Sequence, residues 1–304
     1  MSNPSRFYSL NDFLKERHGE KVMKLSLDGG FTCPNRDGKV ASGGCIFCSS
    51  RGSGDFTDSS LSSITKQMQY NIDLLSNKWP NVKKYIPYFQ AYSSTYAPLD
   101  VLKAQYEEAL SFPGVVGLAI ATRPDCLEDD LLDYLEELNK RTHLWIELGL
   151  QTIHSATSTF INRGHDLACF EDAVYKLHAK GIEVVAHIII GLPNESREDI
   201  LATATYISKL PLQGVKMHML HVLDNAPLGK LYLKKPFPLL TEDEYVNIIG
   251  EILKILPPHF VIHRLTGDGD RKHLIAPLWT LHKTMVLNHI HQYLKSENIY
   301  QGCI

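Results

Sequence analysis

The sequence predicts an α/β fold built on a parallel sheet, and three observations carry that prediction. Apolar runs of strand length alternate strictly with longer segments of helical periodicity from residue 22 onward. Those runs are nearly continuous, as strands covered on both faces are. The chain of 304 residues, 44% of them hydrophobic, is long enough to bury one large core. Six such strand–helix units are too few for a closed eight-stranded barrel. The pattern leaves a doubly wound sheet and an open barrel as alternatives.

Residues 1–21 are polar and mixed. Phe7, Tyr8, Leu10, Phe13 and Leu14 fit a packed amino-terminal arm, or a short amphipathic helix over a barrel opening. Strands are predicted over 22–27, 82–90, 115–121, 144–150, 183–190 and 215–220, and helices over 61–77, 99–111, 127–140, 170–180 and 197–209. Leu127, Leu131, Leu132, Leu135 and Leu138 illustrate the helical spacing. After Leu220 the rhythm changes. Residues 224–229 read as a turn, and 231–236 as a short basic link carrying Tyr232. Thr241 and Glu244 have capping-box spacing at the start of a helix that Pro257 and Pro258 stop. Residues 261–268 read as a strand running into a loop, and a last helix follows Trp279. The chain therefore divides into an arm (1–21), a main α/β part (22–222) and a small α+β extension (223–304).

The formal net charge of −3 gives no strong signature of nucleic-acid binding. No run of eighteen apolar residues offers a transmembrane helix, and the first residues lack an apolar signal core. A cytoplasmic location is expected, without a membrane partner. In a reducing compartment, clustered cysteines bind metal more often than they form disulfides.

Three of the six cysteines, Cys33, Cys45 and Cys48, cluster in a glycine-rich loop after the first strand. Thiolates favour zinc, copper(I) or iron–sulfur clusters. Zinc sites usually close with four ligands, and no fourth cysteine or histidine sits at finger-like spacing. Three thiolates on a four-iron cluster would leave one iron open.

In either α/β architecture, chemistry belongs at the carboxyl ends of the strands. Gln90 and Tyr92 follow the second strand, Arg123 and Asp125 the third, Gln151 the fourth, and Gly191 to Glu195 the fifth. His218 and His221 lie at the sixth. Glu147 stands inside the apolar run of the fourth strand, where a lone carboxylate needs a partner or a ligand.

The three cysteines clustered after the first strand, with Phe47 just before Cys48, resemble those of the radical S-adenosylmethionine (SAM) enzymes. Eleven residues separate the first two cysteines, where the commonest family spacing has three. This wider spacing is similar to the subgroup related to the Elongator catalytic subunit, and more narrowly the loop Gly30-Phe-Thr-Cys33-Pro-Asn-Arg-Asp-Gly38 is similar to that of the short bacterial YhcC/YtqA-like proteins. The resemblance covers nearly the whole chain. It implies an open partial (β/α)6 barrel, which the carboxy-terminal extension would close. It also implies a [4Fe–4S] cluster on Cys33, Cys45 and Cys48, with SAM on the open iron.

The resemblance distributes the SAM contacts as follows. Arg163 would hold the carboxylate, since a guanidinium forms a paired, charge-assisted contact. Backbone carbonyls of the segment from Gln90 to Tyr92 would meet the amino group, where the family often has Gly-Gly-Glu. Glu147 and Gln151 would take the ribose. Phe47 and the segment bearing Ile189 and Gly191 would wall the adenine. No catalytic residue is singled out, and His218, His221, Arg123 and Asp125 are candidates for substrate contact. Cys126 and Cys169 read as packed small hydrophobes, and Cys303, next to the terminus, reads equally as idle or reactive.

The implied partners are an external flavodoxin- or ferredoxin-like electron donor and tRNA. Carbon 5 of a wobble uridine is the leading expectation. Lys230, Tyr232, Lys234, Lys235, Arg264, Arg271 and Lys272 are the basic and aromatic residues that could serve tRNA. The alternatives are a small-molecule metabolite as substrate, and a non-catalytic zinc protein completed by a histidine such as His18 or His165.

Overall fold

The computed structural model describes residues 5–49, 51–52 and 62–304. Residues 1–4 of the arm, and Leu61 at the expected start of the first long helix, lie outside the described residues. The arm contains α1 (Leu10–His18), and β1 (Val22–Leu27) follows. Then come α2 (Ile64–Ser76), β2 (Lys84–Phe89), α3 (Leu99–Leu110), β3 (Gly117–Thr122), α4 (Asp129–Arg141) and β4 (His143–Gln151). A short α5 (Ser155–Phe160) precedes α6 (Leu167–Ala179), β5 (Glu183–Ile190), α7 (Arg197–Ile207) and β6 (Gly214–Met219). Local chemistry sets these elements. In α4 the apolar stripe Leu131, Leu132, Leu135 and Leu138 is buried. Asp129 and Asp130 occupy its first turn and Lys140 and Arg141 its last, matching the helix dipole at both ends.

The strands form one seven-stranded parallel sheet in the order β1-β2-β3-β4-β5-β6-β8, where β8 is Val261–Arg264. Each strand from β2 to β6 lies beside its predecessor, so right-handed crossovers put the connecting helices on one face. A doubly wound sheet requires a reversal of strand order. There is none here, and the sheet curls into an open barrel. The seventh strand comes from the carboxy-terminal extension, so the expected six-stranded barrel gains an edge strand.

On β4, Leu144, Ile146, Leu148 and Leu150 pack against the helices. Trp145 joins Ile86, Tyr88, Val185 and Leu14 on the inside. Two apolar faces explain why the strands read as continuous apolar runs. Helix α1 closes the amino-terminal end of the barrel, with Leu14 buried and Phe13 edge-on to His143, the first residue of β4, at 5.7 Å. The backbone of Tyr8 accepts a 2.8 Å hydrogen bond from Ile262 N and shields the outer edge of β8.

β7 (Val222–Leu223) straddles the expected start of the extension, which then holds α8 (Pro227–Lys234), α9 (Glu242–Ile255), β9 (Leu274–Ala276), a 3₁₀ turn (Leu278–His282) and α10 (Lys283–Ser296). The predicted turn at 224–229 and link at 231–236 are corrected by α8. Pro227 starts that helix, where its missing N–H costs nothing. The Thr241–Glu244 capping box forms as expected. Among the described residues, no helix is long and apolar enough to cross a membrane.

Candidate active site

A cavity of about 1100 Å³ opens at the carboxyl ends of the barrel strands. That volume reaches the upper end of the usual range of roughly 300–1,000 Å³ for small-molecule pockets. Its wall combines the cysteine loop, the strand ends and two stretches of the extension, residues 268–272 and 280–285.

The cysteine loop is strapped to the segment after α5. Ile46 N donates to Ile161 O at 3.0 Å, and Asn162 Nδ2 to Gly44 O at 2.8 Å. Asn35 Nδ2 donates both to Asn162 O at 2.5 Å and to Cys45 Sγ at 3.6 Å. Arg36 donates to Ser49 O and lies over the Tyr92 ring at 5.3 Å. A Cβ on Gly44 would come within 2.9 Å of the Arg36 side chain, and the backbone there has φ +79°, so glycine suits this position doubly.

Cys33, Cys45 and Cys48 all line the cavity. Cys126 is buried behind it, and its carbonyl accepts from Thr95 Oγ1 at 2.6 Å. A hydrogen bond between the Cys45 and Cys48 thiols lowers the first and raises the second, and Arg123, Asn35 and Arg163 favour the Cys45 thiolate against its burial. This donor set fits an iron–sulfur cluster. Three thiols share one space, cations surround them, and an amide N–H reaches a sulfur. Among the described residues, no three Cys, His, Asp or Glu side chains are gathered around a point as one metal ion requires. A cluster with its own sulfides spans wider separations. The zinc alternative through His18 is corrected by position: His18 packs on His143 at 5.7 Å, at the amino-terminal end of the strands. His165 does lie on the cavity wall.

Of the expected SAM contacts, Phe47, Gln90, Tyr92, Glu147, Gln151, Arg163 and Ile189 line the same cavity. Gly191 is placed differently: a Cβ there would face Leu240 and Leu220. Tyr92 (φ 57°) and Gln151 (φ 63°) hold left-handed backbone at the ends of β2 and β4, strain that concentrates at functional sites. Arg163 is 2% exposed. Its Nη1 donates to Leu150 O at 2.5 Å and Thr152 O at 2.6 Å, and its Nε to His165 O at 3.0 Å. Its first task is thus to hold the end of β4, and among the described residues only Nη2 is left without a protein partner. Arg123 grips Asp125 through two contacts of 2.8 and 2.6 Å and donates to Arg163 O at 2.6 Å. His218 and His221 both line the cavity, and burial pushes His221 down to about 4.

Glu147 is fully buried, and both its oxygens are taken. Oε1 accepts from Lys24 Nζ and from Trp145 Nε1 at 3.1 Å. Oε2 accepts from His187 at 2.7 Å and Lys216 at 2.9 Å. Burial alone would raise its pKa, but Lys216, Lys24 and His187 hold it well below the carboxylate range. Its sequence-level need for a partner is met by protein donors rather than by a ribose. Lys24, His187 and Lys216 were not anticipated. Each carries the signal that marked Glu147, an ionisable residue within an apolar strand.

A Radical SAM superfamily model matches residues 35–207, and a Radical_SAM C-terminal domain model matches residues 212–296. YtqA of Bacillus subtilis (strain 168) is 47% identical over 297 residues, spanning 98% of this chain and 92% of YtqA. Elongator complex protein 3 of Schizosaccharomyces pombe is 28% identical over 157 residues, 50% of this chain and 28% of that protein. Among solved structures, Elp3 of the archaeon Methanocaldococcus infernus superposes with a TM-score of 0.69 at 17% identity. That match covers 92% of this chain and 64% of the archaeal one. With the family model matching more than half of its length and its cysteines on one cavity wall, the chain belongs to the Radical SAM superfamily.

Proposed function

We propose that this chain carries a [4Fe–4S] cluster on Cys33, Cys45 and Cys48 and cleaves SAM reductively, directing the radical chemistry to tRNA, with carbon 5 of a wobble uridine as the expected position. The observation that carries the reading is three thiols sharing one cation-lined cavity with, among the described residues, no fourth cysteine on its wall. When bound, the cluster supplies the electron that splits SAM into methionine and a 5′-deoxyadenosyl radical. An external flavodoxin- or ferredoxin-like donor in the cytoplasm must reduce it.

The chain's residues do the holding and shielding. Asn35 donates to the Cys45 sulfur. The Nη2 group of Arg163 is available to a carboxylate. Phe47 and Ile189 offer an apolar wall and Gln90 and Gln151 a polar one. The inner apolar cluster beneath excludes water from that end.

The tRNA reading is supported by the likeness to Elongator complex protein 3 and by Arg271, Lys272 and Lys283 at the cavity wall. Lys230 and Lys234 on α8 and Lys235 just after it stand exposed, away from that wall. A small metabolite is the second reading, favoured by the net charge of −3. Mass spectrometry of tRNA nucleosides from cells with and without the protein separates the two. A nucleoside missing from the deleted strain supports tRNA, and identical profiles overturn it.

A further inference from the structure

The chain is acidic overall, with a net charge of −3, yet among the described residues eight lysines and arginines line its cavity against three carboxylates. Part of that excess lies well apart from the cysteine loop in the strand order, at the β6–β8 edge of the sheet. Lys216 on β6 and Arg264 on β8 are register partners, and both side chains reach the cavity. Like charges side by side on one sheet face repel, and burial strengthens the repulsion. The nearby carboxylates do not neutralise the pair. Glu147 is shared between Lys216 and Lys24, and Asp268 between Arg264 at 2.9 Å and Lys283 at 2.6 Å. Lys216 Nζ donates to Tyr88 Oη at 2.7 Å and to Glu147, and among the described residues its third N–H has no partner.

We propose that Lys216 and Arg264 form a subsite for an anionic group of the substrate, a carboxylate or a phosphate, at the β6–β8 side of the cavity. An anion there turns a repulsive pair into a clamp, with the lysine ammonium and the guanidinium as charge-assisted donors. The subsite deepens the reading of the cavity as a substrate site, because it fixes the chemistry of the part of the substrate lying away from the cysteine loop.

Protonation of Lys216 is coupled to occupancy. Burial draws its pKa down to about 7, Glu147 opposes the shift, and Lys24 and Arg264 add to it. The other groups facing it are Tyr88 on β2, His187 on β5, His218 on β6 and His263 on β8, the three histidines being held neutral chiefly by burial. A bound anion favours the ammonium form, so affinity should fall as pH rises through neutrality.

The test is isothermal titration of the full chain with sulfate and separately with acetate, neither of which changes charge near neutrality. It is run with and without reconstituted cluster and saturating SAM, so that SAM fills its own carboxylate position. We expect wild-type affinity to drop about tenfold between about pH 6 and about pH 8 as the lysine loses its proton. Lys216→Met should lose about tenfold or more at the lower pH, Lys216→Arg should restore it, and Arg264→Met should also weaken binding. Preference for sulfate identifies a phosphoryl group, and preference for acetate a carboxylate. The proposal is overturned if neither anion binds, if Lys216→Met and Arg264→Met both bind as wild type does, or if only Arg271→Glu and Lys272→Glu abolish binding. Iron content and 5′-deoxyadenosine formation report on the radical SAM reading separately, so either can fail alone.

Discussion

Glu147 is the residue on which the interior balance rests. Its carboxylate lies among two lysines and a neutral histidine. Removing one partner of a buried ionic group leaves the others uncompensated. Glu147→Gln should therefore lower unfolding free energy by about 3–5 kcal/mol in denaturant titrations. The sign with pH follows from its depressed pKa. The contribution is complete above the unfolded value near 4.5 and is lost as pH falls below it, so the acid limb of the stability curve should flatten in the variant.

Glu147 stood out in the sequence because a carboxylate is costly inside an apolar run. Its partners did not, because Lys24 on β1 and Lys216 on β6 lie far apart in the sheet order and meet at Glu147 only through its curl. Arg163 teaches the converse lesson. Its residue type pointed to a carboxylate ligand, yet its N–H groups mostly hold carbonyls of the chain. Arg163→Ala should cost about 2–4 kcal/mol of stability as well as SAM affinity, since those buried carbonyls lose their donors. A variant of unchanged stability would show that the carbonyls find other donors.

At the scale of elements, β1 and β5 fall within their predicted bounds: β5 is rich in Val and Ile, and in β1 Met23, Leu25 and Leu27 alternate with less buried residues. The segment that became α8 was misread because Pro227 signals a turn and a first helical residue alike. The most consequential element is β8. It covers the β6 edge, and Ile262 joins the main core. A chain truncated after Leu223 loses β8 and α9 together. It should show no cooperative thermal transition, whereas a soluble, cooperatively folding truncation would make the extension an independent appendage.

For the whole molecule, the choice between a doubly wound sheet and an open barrel was beyond local pattern, because strand order is decided by packing across the chain. The residues at the strand ends were nonetheless legible as a site: all but Gly191 of the expected SAM contacts, together with the three thiols, line one cavity. If tRNA docks at that rim, log affinity should fall linearly with log salt. Arg271→Glu with Lys272→Glu should then reduce the slope by about one unit per residue that contacts phosphate. An unchanged slope would place the phosphate contacts elsewhere.

The most direct test of the account is anaerobic iron–sulfur reconstitution followed by assay of reductive SAM cleavage in the wild type and in single cysteine variants. The wild type should take up about four irons per chain, turn brown and form 5′-deoxyadenosine. Cys33→Ala, Cys45→Ala and Cys48→Ala should each lose both properties, and Cys126→Ala should keep them. Full iron and 5′-deoxyadenosine in Cys33→Ala, or a colourless wild type holding about one zinc, would contradict the account.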